Sequence, residues 1–521
     1  MQFTSFSFLL LVALSLTLYY CLPKSKRWWC LLAASYVFYL GAGADCLAFI
    51  LYTTAVTYVT AVWMQKMTDR ERAYLDAHRE EPKEARKAYR AKEKKRRFRV
   101  LTAGLLLGFG MLAVLKYTAF VLSGINALGA DLKIPDLLLP LGISFYTFQS
   151  MGYLIDVYRG KAEAEKNPFK LALFVSFFPQ LLQGPISRFG DLAPQLLKGN
   201  DFSAIGFRSG LARVVWGYFK KVVVADTAMI AVRSLVLQEK TGAYVLLLIL
   251  LYSAVIYGDF TGGIDITIGI SEMFGIKLKE NFDRPFSSKS VKEYWNRWHI
   301  TMGSWFTDYV FYPLSVCRPM QSFSKWSRAH LGQAVGKRLP VYVATSVTWF
   351  LTGLWHGAGW NFIVWGMLNC LLILVSQEMQ PIWSKWRQAA PRVVESAPWG
   401  VFQAVRTFLL MGLIRSLDCY RNVGLTFRLW GTMFTEFRLG ELLRSGWKTL
   451  GLDGGDWLVI GVGILVMFAA SQLGKQEPIR VRLAKRPVAL CGLLTLGVLV
   501  ILIFGTYGIG YDAGDFIYVQ F

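Results

Sequence analysis

The chain has 521 residues, of which 54% are apolar by a broad count and only 17% charged, yet it carries 57 Lys and Arg against 34 Asp and Glu, a formal charge of +23. A soluble chain of this length would divide into several domains with about a quarter of its residues charged, so the deficit of charge excludes that class. Nucleic-acid binding would explain the excess of base but not runs such as SFSFLLLVALSLTLYYCL and VALCGLLTLGVLVILIFG, which approach the roughly 20 helical residues that cross a bilayer core. An all-α polytopic membrane protein surrounded by lipid is expected, with no nucleic-acid partner.

The first apolar run begins near Ser5. It lacks a basic leader and is followed by Pro23-Lys24-Ser25-Lys26-Arg27 without an Ala-x-Ala site, so it reads as a first spanning helix and not as a cleaved signal. Further apolar segments recur to the end of the chain, predicting roughly 11–13 membrane helices. Two pieces, LLLPLGISFYTFQSMGYL and FFPQLLQGPISRFG, carry Pro and Gly. Irregular backbone of that kind must be buried in protein or line a wet cavity, which predicts re-entrant elements. No internal repeat is evident. The seven cysteines are scattered, with no C-x-x-C and no metal-ligand spacing, and read as small buried hydrophobes with no metal site.

Between Lys66 and Arg99 lie 14 Lys/Arg and 7 Asp/Glu. This most polar stretch predicts an extended cytoplasmic helix, either as an orienting solvated face or as a dock for anionic lipid or an acidic protein. A second basic loop, Ser315 to Pro340, holds Arg318, Lys325, Arg328, Lys337 and Arg338 with no acid. The apolar stretch that follows, Val341 to Val375, would run about 53 Å as one straight helix, too long for a single crossing. A hairpin entering and leaving from the cytoplasm is expected, with its break at Gly353-Leu354-Trp355-His356-Gly357-Ala358-Gly359-Trp360-Asn361.

That break contains one of only four histidines. His78 and His330 fall in charged stretches and read as passive. His356 would lie within the membrane, where ionisable groups are costly enough to be functional candidates. A neutral imidazole there could accept a proton from a hydroxyl, or serve structurally by bonding a helix. His299 lies in KEYWNRWHITMGSWFTDY, which on its own reads as an interfacial amphipathic helix anchored by Trp295, Trp298 and Trp305. Lys116, Asp259, Asp265 and Arg415 are intramembrane charges. Asp259 and Asp265, six positions apart, do not share a helix face as a carboxylate pair. The soluble-enzyme signatures G-x-S-x-G, Walker loop and H-E-x-x-H are absent.

Several blocks taken in order, LPLGISFYTFQSMGYLIDVYRG, FFPQLLQGPISR, GYFKKVVVAD, YGDFTGGIDITIGI, NFDRPFSSKSVKEYWNRWHITMGSWFTDYVFYPL, GLWHGAGWNFIVWG and the closing FIYVQF, resemble the membrane-bound O-acyltransferase (MBOAT) family, in its bacterial alginate O-acetyltransferase-like branch. Gly263 and LIRSLDCY depart from the family's wording at two places, which bears on acceptor or partner choice. The resemblance implies one MBOAT domain over 1–521, with re-entrant and interfacial helices around a central tunnel. Within it, 66–99 would be the cytoplasmic basic helical loop, 281–376 the catalytic core segment and 401–521 the C-terminal membrane helices.

The same resemblance implies catalysis by His356 and His299. Trp355, Asn361, Asp259, Trp298, Asn296 and Arg297 are the substrate-binding candidates. No bound cofactor is implied. The donor would be an acyl thioester, acetyl-CoA or an acyl carrier protein, on the cytoplasmic side. The acceptor would be an extracytoplasmic glycan reached directly or through an extracytoplasmic transferase partner, and the location the bacterial inner (cytoplasmic) membrane. Alternatives are D-alanyl transfer to teichoic acid from a carrier protein, and a non-enzymatic glycan or lipid transporter, which would have no evident need of two histidines in a chain so poor in them.

Overall fold

The computed structural model describes residues 2–507; the closing FIYVQF block lies outside them. Among the described residues the chain is helical, with one isolated antiparallel bridge, Phe282 to Trp298. Seven helices among the described residues are long and apolar enough to cross a membrane: Ala44–Ala77, Lys83–Asn126, Ala243–Met273, Trp360–Glu378, Ala397–Tyr420, Gly454–Leu473 and Pro487–Phe504. The protein is therefore a multi-pass membrane protein. The other apolar segments form shorter helices, among them Phe6–Cys21, Arg27–Leu40 and Ile143–Tyr158. Packing divides the chain into two compact units, Met1–Leu211 with Thr267–Leu278, and Ala212–Ile266 with Lys279–Phe521.

In the first unit the basic stretch is a helical hairpin, not the one extended helix expected. Ala44–Ala77 stops at His78, and Lys83–Asn126 starts behind Pro82, where the missing N–H and fixed φ suit a helix start and not a helix interior. The two arms are tied by Tyr74 stacking on Tyr89 at 3.8 Å and by Arg97, which donates to Glu71 at 2.7 Å. His78 stacks on Tyr74 at 4.1 Å.

From Pro140 onward the Pro- and Gly-bearing pieces of this unit are largely buried in protein, as irregular backbone in a membrane requires, while Leu138 and Leu139 ahead of it are exposed. After the four-residue helix Phe178–Leu181, residues 182–187 run buried without regular structure. Their neighbours satisfy the backbone. The Thr267 hydroxyl lies 2.7 Å from the carbonyl oxygens of both Pro179 and Gln183, and Ser35 Oγ accepts from the Phe178 amide at 3.1 Å. Gln149 Nε2 donates to Phe174 O at 2.6 Å. Gly142 has a left-handed φ of 70°, and a Cβ there would lie 2.2 Å from Leu181 O, so only glycine suits it.

In the second unit the expected hairpin is present, broken where the glycines fall. The Arg318–His356 helix, kinked at Gly332 (φ 77°), ends at His356, and Trp360–Glu378 begins after three non-helical residues. The arms meet backbone to backbone. A Cβ on Gly353 would lie 2.5 Å from Phe362 O, and one on Gly366 2.5 Å from Trp349 O. Gly357 is extended (φ −179°), a conformation open to any residue. Glycine is needed there because a Cβ would meet the Phe362 ring at 2.1 Å.

The cysteine expectation is met only in part. Cys30, Cys46 and Cys370 are buried, but Cys21 and Cys491 are exposed, because they lie on outward helix faces, and Cys317 and Cys419 are half-covered.

Candidate active site in the second unit

The site starts from a short clasp. Asn281 to Asp283 run antiparallel to Arg297 to Ile300: the Asp283 amide donates to Arg297 O at 2.9 Å and the Ile300 amide to Asn281 O at 3.0 Å. His299 sits between the helices Val291–Arg297 and Ile300–Phe306 with left-handed backbone (φ 49°, ψ 52°). For a residue other than glycine this costs of order 1 kcal/mol, and the clasp is what holds it there. The turn directs the imidazole inward, where it is fully buried. Asn281, also fully buried, places Nδ2 3.1 Å and Oδ1 3.2 Å from His299 Nδ1.

The interfacial-helix reading of this segment is corrected. Trp298 and Trp305 are 1% and 3% exposed and belong to the core, because the break at His299 turns them inward where a continuous amphipathic helix would have laid them at the headgroups. Trp298 is enclosed by Phe282, Tyr294 and Phe286, and the Arg415 guanidinium lies over its ring at 4.4 Å. His299 lies outside the seven spanning helices. Burial first, and the nearby Arg415 second, hold its imidazole well below the usual histidine range, so it is neutral at ordinary pH.

The second arm carries His356, the last residue of its helix, 6% exposed. Its ring meets Trp365 at 4.5 Å and Trp355 at 5.0 Å, both edge-on. Trp355 also meets His299 at 5.6 Å, so one indole touches both imidazoles. Trp295 Nε1 donates to Asn369 Oδ1 at 3.2 Å, tying the His299 arm to the helix that carries Trp365. Asn361 is buried beside the break, and its amide nitrogen has no hydrogen-bond partner among the described residues.

The structure thus brings His299, Trp355 and His356 together, with Asn361 on the same break and Trp298 next to His299 against the shared Phe260 ring. Asp259 is buried in an ion pair with Lys221, while its neighbour Phe260 packs on His299 at 4.9 Å. Asn296 is exposed and Arg297 pairs with Glu293 at 2.7 Å, so neither joins the buried group. Asp265 pairs with Lys220 and Arg213, which confirms that it and Asp259 are separately engaged. A widened turn at Phe219–Ala225 lets the consecutive Lys220 and Lys221 both reach the helix bearing these acids.

Sequence reasoning missed Asn281, Phe260 and Trp365 as site residues. Their contacts are set by the clasp and the hairpin, and the only advance signal for Asn281 was its place at the head of the NFDRP block.

The profile of the membrane-bound O-acyltransferase family matches residues 166–417, which include both histidines. The chain is 32% identical over 485 residues to the probable alginate O-acetylase AlgI of Pseudomonas aeruginosa, covering 91% of this chain and 83% of that protein. It is 32% identical over 326 residues to the peptidoglycan O-acetyltransferase of Helicobacter pylori (56% and 58%). It is 28% identical over 239 residues to the teichoic acid D-alanyltransferase of Bacillus subtilis (45% and 58%).

Proposed function

This chain belongs to the membrane-bound O-acyltransferase family, and from that premise we propose that it moves an acetyl group from a cytoplasmic thioester, acetyl-CoA or an acyl carrier protein, to a hydroxyl on an extracytoplasmic glycan or on a partner protein that acetylates one. It is an O-acyltransferase. The observation that carries the reading is the pair of buried histidines sharing the Trp355 indole. A carrier that performs no chemistry has no use for that pair.

His356 is the general base. As the acceptor oxygen attacks the thioester carbonyl carbon, the new C–O bond forms, the carbonyl π pair moves to oxygen, and His356 takes the hydroxyl proton. Collapse of the tetrahedral species re-forms the carbonyl and breaks the C–S bond. The leaving thiolate then takes the proton from the imidazolium, departs as a thiol, and leaves His356 neutral. Asn361, whose buried N–H groups are otherwise unspent, supports the oxyanion. Trp355 and Trp298 wall the acyl group, and the cluster excludes water that would hydrolyse the thioester.

The family match to a D-alanyltransferase keeps D-alanine as the competing acyl group. The test is mass spectrometry of ester-linked groups released by mild base from the glycans of cells carrying wild type or His356→Ala. Acetate present with wild type and absent with the variant, at equal membrane expression, is the expected result. D-alanine in its place would replace the acyl assignment, and undiminished acetate with His356→Ala would remove the assignment of the base.

A further inference from the structure

The hydrogen bonds around Asn281 bear on what His299 can do. Its Oδ1 accepts from the Thr301 backbone N–H at 3.0 Å and from Thr301 Oγ1 at 2.9 Å. A backbone N–H can only donate, so the amide oxygen must lie on the Thr301 side, and its two lone pairs are then filled. The backbone bond from the Ile300 amide to Asn281 O holds the residue in that register. Toward His299 Nδ1 the amide presents Nδ2 at 3.1 Å and the oxygen already engaged by Thr301 at 3.2 Å, so the N–H is the group left to pair with the ring. A ring nitrogen that receives an N–H is the unprotonated one, which leaves the proton of the neutral imidazole on Nε2.

We propose that Asn281 is a positioning residue that locks His299 as the Nε2–H tautomer, so that His299 donates a hydrogen bond to the thioester oxyanion while His356 alone takes the acceptor's proton. The inference rests on the acyl-transfer reading above. No proton leaves His299: its N–H is shared with the carbonyl oxygen as negative charge gathers there and is released when the C–S bond breaks, so the proton balance of the reaction is carried entirely by His356. Neutral-imidazole donation of this kind needs a ring that stays uncharged. The groups that bear on it are consistent with that: Arg415 lies across Trp298, and Asp259, next to Phe260, is held by Lys221. Neither Asn281 nor Thr301 offers a carboxylate that would favour the imidazolium.

The experiment uses the full chain in proteoliposomes offered radiolabelled acetyl-CoA or acetyl-loaded acyl carrier protein, following loss of the thioester. A Gln side chain can present its amide N–H near the place of Nε2 but has no basicity. His299→Gln is therefore expected within about tenfold of wild type, whereas His299→Ala falls by about 10²–10³ in kcat, the usual loss for an oxyanion donor. Asn281→Asp replaces the donated N–H by a carboxylate that draws the proton to Nδ1 and favours the charged ring. It is expected to lower kcat with KM for the donor unchanged and to move the acid limb of the pH profile up by about one unit or more. Detergent-solubilised melting and gel filtration establish that each variant is folded, and His299→Gln tests the idea even if Asn281→Asp does not fold. His299→Gln as inactive as His299→Ala, with the Asn281→Asp profile unshifted, overturns the proposal while leaving the acyl-transfer reading intact. Full activity of both His299→Ala and His356→Ala overturns that reading and the proposal together.

Discussion

Lys221 and Asp259 form an ion pair of 2.5 Å in which both side chains are buried, 4% and 2% exposed. Lys221 also pairs with Asp226 at 2.9 Å, so Asp259→Leu leaves the lysine one carboxylate, whereas Lys221→Met strands two carboxylates at a cost of about 3–5 kcal/mol. Lys221→Met is therefore expected to lower the melting temperature in detergent sharply, and Asp259→Leu far less. Acyl transfer by Asp259→Leu decides whether Asp259 also touches substrate. Activity near wild type assigns it to structure alone, and activity lost at retained stability keeps it among the binding residues.

Asn361 is expected to show the opposite relation between stability and rate. A buried amide nitrogen with no hydrogen-bond partner costs about 1–3 kcal/mol, so Asn361→Leu should raise the melting temperature while kcat falls by about 10²-fold if the amide supports the oxyanion. Thermal melting and single-turnover rates on one preparation check it. A variant that is more stable and equally fast would take Asn361 out of the mechanism.

Gly357 faces the Phe362 ring at a distance that admits no methyl group. Gly357→Ala should cost about 1–3 kcal/mol through overpacking and displace His356 at the adjoining position. Gly357→Ala combined with Phe362→Leu is expected to regain stability, since the conflict is with the ring and not with backbone torsion. If the second change gives no recovery, torsion is the cause after all. Melting temperature and kcat of the single and double variants are the measurements.

Arg415 lies over Trp298 and reaches the Tyr294 hydroxyl at 3.5 Å. A desolvated cation–π contact of this kind is worth about 2 kcal/mol. Arg415→Lys should lose much of it, because an ammonium lacks the planar face that stacks on indole. The predicted outcome is lowered melting for both Arg415→Lys and Arg415→Gln. Equal stability of Arg415→Lys and wild type would show that charge, not stacking, is what counts.

Periodicity and composition made much of this legible. The hairpin and its break could be placed because an apolar stretch of 35 residues exceeds one crossing, and three glycines marked where the helix had to end. The burial of the Pro- and Gly-rich pieces followed from the need to satisfy backbone polar groups in lipid. The His299 segment reads as interfacial in sequence because its tryptophans fit an amphipathic helix at the headgroups. What turned them inward was one left-handed residue and a bridge to Phe282, and no local pattern announces such a turn in a histidine. The basic stretch from Lys66 to Arg99 reads as one helix because its charge hides the break that Pro82 makes. The partners of Asp259 and Asp265 were out of reach, since they depend on two helices meeting at Lys220 and Lys221.

The clasp holding His299 closes between residues only 18 apart, Asn281 and His299, and short closures of this kind are entropically cheap and fast. His356 depends instead on a glycine-lined hairpin further along the chain. During synthesis the clasp around His299 can therefore close before the half around His356 has been made. The order in which the two histidines become competent is written into the direction of translation, and the indole of Trp355, emerging one residue ahead of His356, is the first part of the later half to reach the earlier one.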